Sequence, residues 1–284
     1  MFDTTLFEGR HILVTGGGSG LGRSIATRLA QLGADIAICG RREAMLDEAV
    51  SALNDSTGRD CARRYVCDIR DAAQVESMLT DIWQHRPLDA LINNAAGNFI
   101  ARSETLSPRA VDAVIGIVAN GTAYVTLGCG RRWLAEGRRA SVLSIATTYA
   151  ETGSAYVLPS AMGKAAMVAL TRSLAVEWGG RGIRLNAVAP GPFPTPGAWE
   201  RLVPRADLAK RFETKTPLGR AGRHEELADL AAYLLSPAAE FINGEVVTID
   251  GGEWLQGAGQ FNFLSELTDD EWAALKPVST KAKT

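Results

Sequence analysis

The stretch TGGGSGLG, residues 15–22, follows the β-rich run HILVT (11–15) and leads into RSIATRLAQLG (23–33), whose apolar residues recur at helical spacing. Glycines at 16, 20 and 22 let the chain turn tightly, let the backbone approach a diphosphate and let the helix pack close to the strand. The free N–H groups and dipole at the start of such a helix stabilise phosphate. An ordinary tight turn also contains glycines, so the surrounding pattern decides what this one is.

Outward from that stretch, short β-rich runs recur: DIAIC (35–39), RYVCD (64–68), LDALIN (88–93), ASVLSIA (140–146), IRLNAVA (183–189) and EVVTID (245–250). Segments of helical period separate them, the signature of βαβ units. The runs are nearly all apolar, as strands covered on both faces are. The expected fold is α/β: a doubly wound (Rossmann) parallel seven-stranded sheet flanked by helices on both faces, in one domain spanning 1–284. The segment APGPFPTPGAWERLVP (189–204) follows a strand end and is rich in proline and glycine, so a substrate loop with a lid helix is expected over about 190–215. A C-terminal extension over about 253–284 contains Thr268 and Glu271, spaced as a capping box for a short helix ending before Pro277. That helix is expected to pack on the body or a neighbouring subunit, and VSTKAKT (278–284) to fray.

Composition narrows the classes. The chain has 284 residues, 46% hydrophobic and 22% charged, with net charge −2, so it offers no basic field for nucleic acid. Cys39, Cys61, Cys67 and Cys129 form no CxxC pair, and His11, His85 and His224 lie far apart, so neither a metal site nor a disulfide is expected. No apolar run nears the roughly 20 residues that span a bilayer, and no targeting segment is recognisable at either end. A cytoplasmic protein without membrane association is expected.

The second strand ends in CGRR, where a protein preferring NAD places an acid against the ribose hydroxyls. Arg41 and Arg42 instead suit a 2′-phosphate, which makes NADPH the expected cofactor. Asp68, followed by Ile69, closes the third run and is expected beside the adenine.

With TGGGSGLG, the motifs NNAAG (93–97), VANGT containing Asn120, Lys164 and PGP (190–192) resemble the short-chain dehydrogenase/reductase family over almost the whole chain. The resemblance implies cofactor contacts from Thr15, Gly16, Gly18, Ser19, Gly20, Leu21 and Gly22, from Asn94, Ala95, Ala96 and Gly97, and from Pro190, Gly191 and Pro192. It implies Lys164 on the nicotinamide ribose hydroxyls, and Asn120 kinking its helix to support a water near that lysine.

The family's acid is a tyrosine four residues before the lysine, with a serine thirteen residues before that tyrosine; this chain has Ser160 and Thr147 there. A carbonyl reductase needs its acid within about 3 Å of the oxygen on the carbon that receives hydride. A serine hydroxyl is a far weaker acid than a tyrosine, with its pKa of about 10. Reduction of a conjugated dienoyl thioester instead sends charge to an oxygen roughly 5–6 Å from that carbon, and the donor should be displaced with it. AAGNFI (95–100), TTYAETGSAYVLPSA (147–161), AVEWG (175–179) and GQFNF (259–263) resemble the mitochondrial-type 2,4-dienoyl-CoA reductases, a subgroup of the family. That resemblance implies Tyr149 and Asn98 as donors to the thioester oxygen, Ser160 as a supporting hydroxyl, Tyr156 as a packing residue, and an acyl-CoA substrate reduced to a 3-enoyl-CoA during β-oxidation of unsaturated fatty acids. It also implies a homotetramer. Reduction of a carbonyl or another activated alkene, or NADP(H) binding without turnover, are the alternatives.

Overall fold

The computed structural model describes residues 2–195, 205 and 214–275. Seven strands form one sheet: β1 (His11–Thr15), β2 (Asp35–Gly40), β3 (Ala62–Val66), β4 (Ala90–Asn93), β5 (Ala140–Ile145), β6 (Ile183–Pro190) and β7 (Val246–Ile249). Their order is β3-β2-β1-β4-β5-β6-β7, and every neighbouring pair is parallel. The chain reverses direction across the sheet between β1 and β4, and the crevice beyond the strand ends at such a reversal is where ligands bind in open α/β sheets.

Alternation along β1 shows how the layers are held. Ile12 and Val14 enter a core shared with α1 (Gly20–Gln31) and α2 (Glu43–Thr57). Leu13 enters the opposite core, which holds residues of α3 (Ala72–His85), α5 (Thr122–Ala135) and α7 (Leu158–Gly179). Successive strand residues point to opposite faces, so a wholly apolar strand is what a sheet covered twice requires. The edges depart from this: β3 and β7 are only partly covered.

β3 also begins and ends two residues earlier than the apolar run suggested. Its register pairs Ala62 with Ile36 and stops at Val66 opposite Gly40; an edge strand follows its single neighbour's ladder, and its exposed polar residues hid that start. The helical run Pro108–Ala135 departs from the expectation that no apolar run nears bilayer-spanning length: within its 28 residues an 18-residue stretch has a mean hydropathy of 1.5. It joins α4 (Pro108–Ile115) to α5 through a π-helical turn, Gly116–Gly121. Val114, Val118, Val125, Cys129 and Trp133 along it are buried in the protein core.

The short α6 (Tyr149–Thr152) follows β5; after β6, α8 (His224–Leu235) packs beside α1, and α9 (Glu253–Ala258) and α10 (Asp269–Ala274) follow β7. The Thr268–Glu271 capping box is present at α10, although none of that helix's residues is buried. Most of the segment read as substrate loop and lid, and the final VSTKAKT, lie outside the described residues.

Candidate active site

Six strand ends open onto one cavity of about 440 Å³, lined by Gly16 after β1, Gly40 of β2, Cys67 after β3, Asn94 after β4, Ile145 of β5 and Pro190 of β6. Its floor on the β1 side is the glycine turn. Gly16 (φ 66°) and Gly20 (φ 55°) take backbone conformations that side chains disfavour. Gly18, Ser19, Gly20 and Leu21 face the cavity. The side chain of Ser19, the N-cap of α1, makes no hydrogen bond to the helix, so the first-turn N–H groups of α1 are offered to a phosphate.

Gly22 and Thr15 stand behind this surface and act through others. A Cβ on Gly22 would sit 2.3 Å from Asn94 Nδ2, so only glycine lets α1 approach the β4 loop. The Thr15 hydroxyl accepts from the backbone N–H groups of Asn94 and Ala95, each at 3.0 Å, and Asn94 Nδ2 donates to Thr15 O at 2.9 Å. These bonds hold Asn94, Ala95, Ala96 and Gly97 along the cavity wall. Pro192 is likewise displaced: it lines a smaller neighbouring void, and its carbonyl accepts from Gly222 N–H at 2.9 Å.

At the end expected to take the adenine, Arg41 and Arg42 line the cavity, and among the described residues neither makes a salt bridge. Asp68 and Ile69 line the cavity too. Arg70 grips the Asp68 carboxylate through Nε at 3.0 Å, and these hydrogen bonds, with a smaller contribution from Arg41, hold its pKa below the ordinary carboxylate range.

The other end is built from side chains. Lys164 is buried on α7, donates to the Ile145 carbonyl, and has its pKa pushed down to about 8 by burial. One turn earlier, Ser160 is 2% exposed, and its Oγ lies 3.1 Å from the Tyr149 hydroxyl. Asn98 Nδ2 donates to that same hydroxyl at 3.3 Å. The Asn98 amide is itself oriented by Phe99 N–H, which donates to Oδ1 at 2.9 Å. All four side chains line the cavity, and Tyr149 is the tyrosine among them.

Tyr156 is elsewhere. It is 58% exposed, takes φ 67°, and its carbonyl accepts from Ala101 N–H at 3.0 Å. Asn120 meets part of its expectation. The helix is distorted where it stands, in the π turn, but its side chain is exposed, and it is Ile117 from this turn that lines the cavity. Asn120 stands three positions after Ile117, and the widened turn carries it round to the solvent side while Val118 meets Gly163 beside Lys164. Phe193 and Thr195, in the segment read as a substrate loop, also line the cavity, as does Met45 in the first turn of α2, which no motif marked.

Comparison with known proteins agrees with this architecture. A family model described as enoyl-(acyl carrier protein) reductase matches residues 16–253. A probable 2,4-dienoyl-CoA reductase 3 of Caenorhabditis elegans, named as (3E)-enoyl-CoA-producing, is 40% identical over 95% of this chain and 89% of its own length. A probable 2,4-dienoyl-CoA reductase of Bacillus subtilis, named as (2E)-enoyl-CoA-producing, is 41% identical over 87% of this chain and 98% of its own. The crystal structure of a short chain dehydrogenase from Bacillus anthracis superimposes with TM-score 0.80 at 39% identity, covering 88% of this chain and 98% of that one. Two further solved neighbours, each 31% identical, carry bound NADP. The chain belongs to the short-chain dehydrogenase/reductase family and is an oxidoreductase.

Proposed function

We propose that the protein reduces a conjugated 2,4-dienoyl-CoA thioester with NADPH. The observation that carries this reading is the placement of Tyr149 with Asn98 and Ser160, 3.1–3.3 Å apart, where no tyrosine precedes Lys164 by one turn. When bound, NADPH supplies the hydride, delivered to the distal diene carbon. Negative charge then moves along the conjugated system to the thioester oxygen. Tyr149 O–H and Asn98 N–H donate there, where the charge develops. Ser160 donates to Tyr149 as the phenol turns its own hydrogen to the substrate, and Lys164 holds the ribose. Proton addition from water at the α carbon leaves a 3-enoyl-CoA. The Bacillus subtilis relative's name favours a second product, the 2-enoyl-CoA, which proton addition at a different carbon would give.

Arg41 and Arg42 support the choice of NADPH over NADH, since no carboxylate stands at that strand end to oppose a 2′-phosphate. A homotetramer is supported by apolar residues left exposed on α5 and α7, among them Leu127, Met162 and Val176; light scattering of the purified protein tests it. The reaction is tested by following NADPH absorbance with 2,4-dienoyl-CoA or 3-oxoacyl-CoA, and by identifying the product. Oxidation with the dienoyl thioester alone is expected. Oxidation with only the oxo thioester would return the chain to carbonyl reduction, and none with either would leave a cofactor-binding protein.

A further inference from the structure

One side chain ties the loop that leaves β6 to the phosphate-binding helix. His224 opens α8, with Nε2 2.8 Å from the Pro194 carbonyl and Nδ1 2.9 Å from the Ser24 hydroxyl on α1. A carbonyl only accepts, so Nε2 carries the hydrogen. In the neutral ring Nδ1 then accepts from Ser24. Ser24 has a second acceptor, the Gly20 carbonyl at 3.2 Å, but one hydrogen; the histidine bond is the shorter.

The residue this tie positions is Thr195, next to Pro194. Thr195 lines the cavity, whereas His224 and Ser24 do not. A Cβ built on Gly20 would meet Thr195 Cγ2 at 3.4 Å, so Thr195 stands directly over the first turn of α1, where the free N–H groups are. The tie therefore sets the spacing between the two surfaces that would enclose a diphosphate, and it does so from outside the cavity.

We propose that His224 is a positioning residue for the dinucleotide: through Ser24 and Pro194 it holds Thr195 over the diphosphate, so that the cavity binds the whole cofactor without first ordering that loop. This rests on the reading of the cavity as an NADPH site. The distinguishing consequence is which part of the cofactor feels its loss. Adenosine 2′,5′-bisphosphate presents the adenine and the 2′-phosphate but ends at the first 5′-phosphate, short of the nicotinamide half.

The experiment titrates NADPH and adenosine 2′,5′-bisphosphate into the full-length protein and its variants by calorimetry, with steady-state kinetics alongside. For His224→Ala the dissociation constant and KM for NADPH are expected to rise about tenfold, the equivalent of about 1.4 kcal/mol. Affinity for the bisphosphate and kcat at saturating NADPH are expected to stay within about twofold. Ser24→Ala should lose part of the same affinity, and the double variant no more than His224→Ala, since both remove one tie. His224→Gln, whose amide can still donate to Pro194, should recover most of the loss; with Ser24→Ala it keeps the test open if His224→Ala fails to fold. Unchanged NADPH affinity, equal losses for both ligands, or additive losses in the double variant would overturn the role of His224. If the unaltered protein binds neither ligand, the NADPH reading fails and the proposal with it.

Discussion

The two ends of the cavity are made of different material. At the β1–β3 end most of the lining groups come from backbone, the glycine turn, the start of α1 and the Asn94–Gly97 strip held by Thr15, joined at its limit by the side chains of Arg41, Arg42 and Asp68. At the end near Lys164 they come from side chains on three separate elements, Asn98 after β4, Tyr149 at the start of a short helix after β5, and Ser160 on α7. Backbone surfaces recognise what every dinucleotide shares. Side chains decide what is done with it, and they can be exchanged without disturbing the sheet beneath.

The largest effect is expected from Tyr149→Phe. It removes one hydroxyl and leaves the ring, so the fold and the nucleotide surfaces stay in place. Loss of one donor at a developing oxyanion costs about 10²–10³ in turnover. The expected result is a fall of that size in kcat with 2,4-dienoyl-CoA, while NADPH affinity by fluorescence titration changes less than about twofold. A loss of NADPH affinity equal to the loss of turnover would mean that the two ends are not separable.

At the other end, replacing both Arg41 and Arg42 by alanine should leave chemistry intact and shift cofactor choice. Each charge-assisted hydrogen bond contributes roughly 1.5–3 kcal/mol, and a 2′-phosphate held by both would lose about 10²-fold in affinity without them. NADH, lacking that phosphate, should bind as before. The ratio of kcat/KM for the two cofactors measures this; an unchanged ratio would show that these arginines are merely solvated.

How much of this could be read in the sequence follows the same division. The glycine turn, the seven strands and the NNAAG strip were legible because each is a local pattern with one backbone solution. The displaced donor was legible only as a departure, Ser160 standing where a tyrosine was expected, together with the subgroup's motifs. The distortion at Asn120 was legible but its exposure was not, because the direction of that side chain depends on a π turn, which no spacing along an ideal helix anticipates. Thr195 was legible only as part of a loop rich in proline and glycine, and the part played by His224 was invisible, because it lies in a contact between α1 and α8 across 200 residues.

Lys164 joins the two ends and carries a pH dependence. Burial lowers its pKa to about 8 from the ordinary 10.5, so between those values the unfolded chain binds more protons than the folded one. Stability therefore rises with pH across that window. Below it, the folded protein carries the full cost of a buried ammonium, of order 1–3 kcal/mol. Without cofactor, Lys164→Met should be more stable than the unaltered protein by about that much at neutral pH, with the advantage shrinking from about pH 8 to 10.5 in urea unfolding. A constant difference across that range would show that the lysine is not buried as a charge.

The smallest effect tests the other tyrosine. Tyr156 holds φ 67° and is 58% exposed, so its ring contributes little burial while its backbone sits in a region that costs a side-chain-bearing residue about 1 kcal/mol or more. Glycine escapes that cost but gives the unfolded chain more freedom, which leaves a net gain for Tyr156→Gly of about 0.5 kcal/mol. The Ala101–Tyr156 backbone hydrogen bond needs no side chain and should persist. Turnover by Tyr156→Gly and Tyr156→Phe should stay within about twofold of the unaltered enzyme, because only Tyr149 shares hydrogen bonds with Asn98 and Ser160. A tenfold fall in the phenylalanine variant would move the acid from the half-buried tyrosine to the exposed one, and with it the site at which the substrate's charge is held.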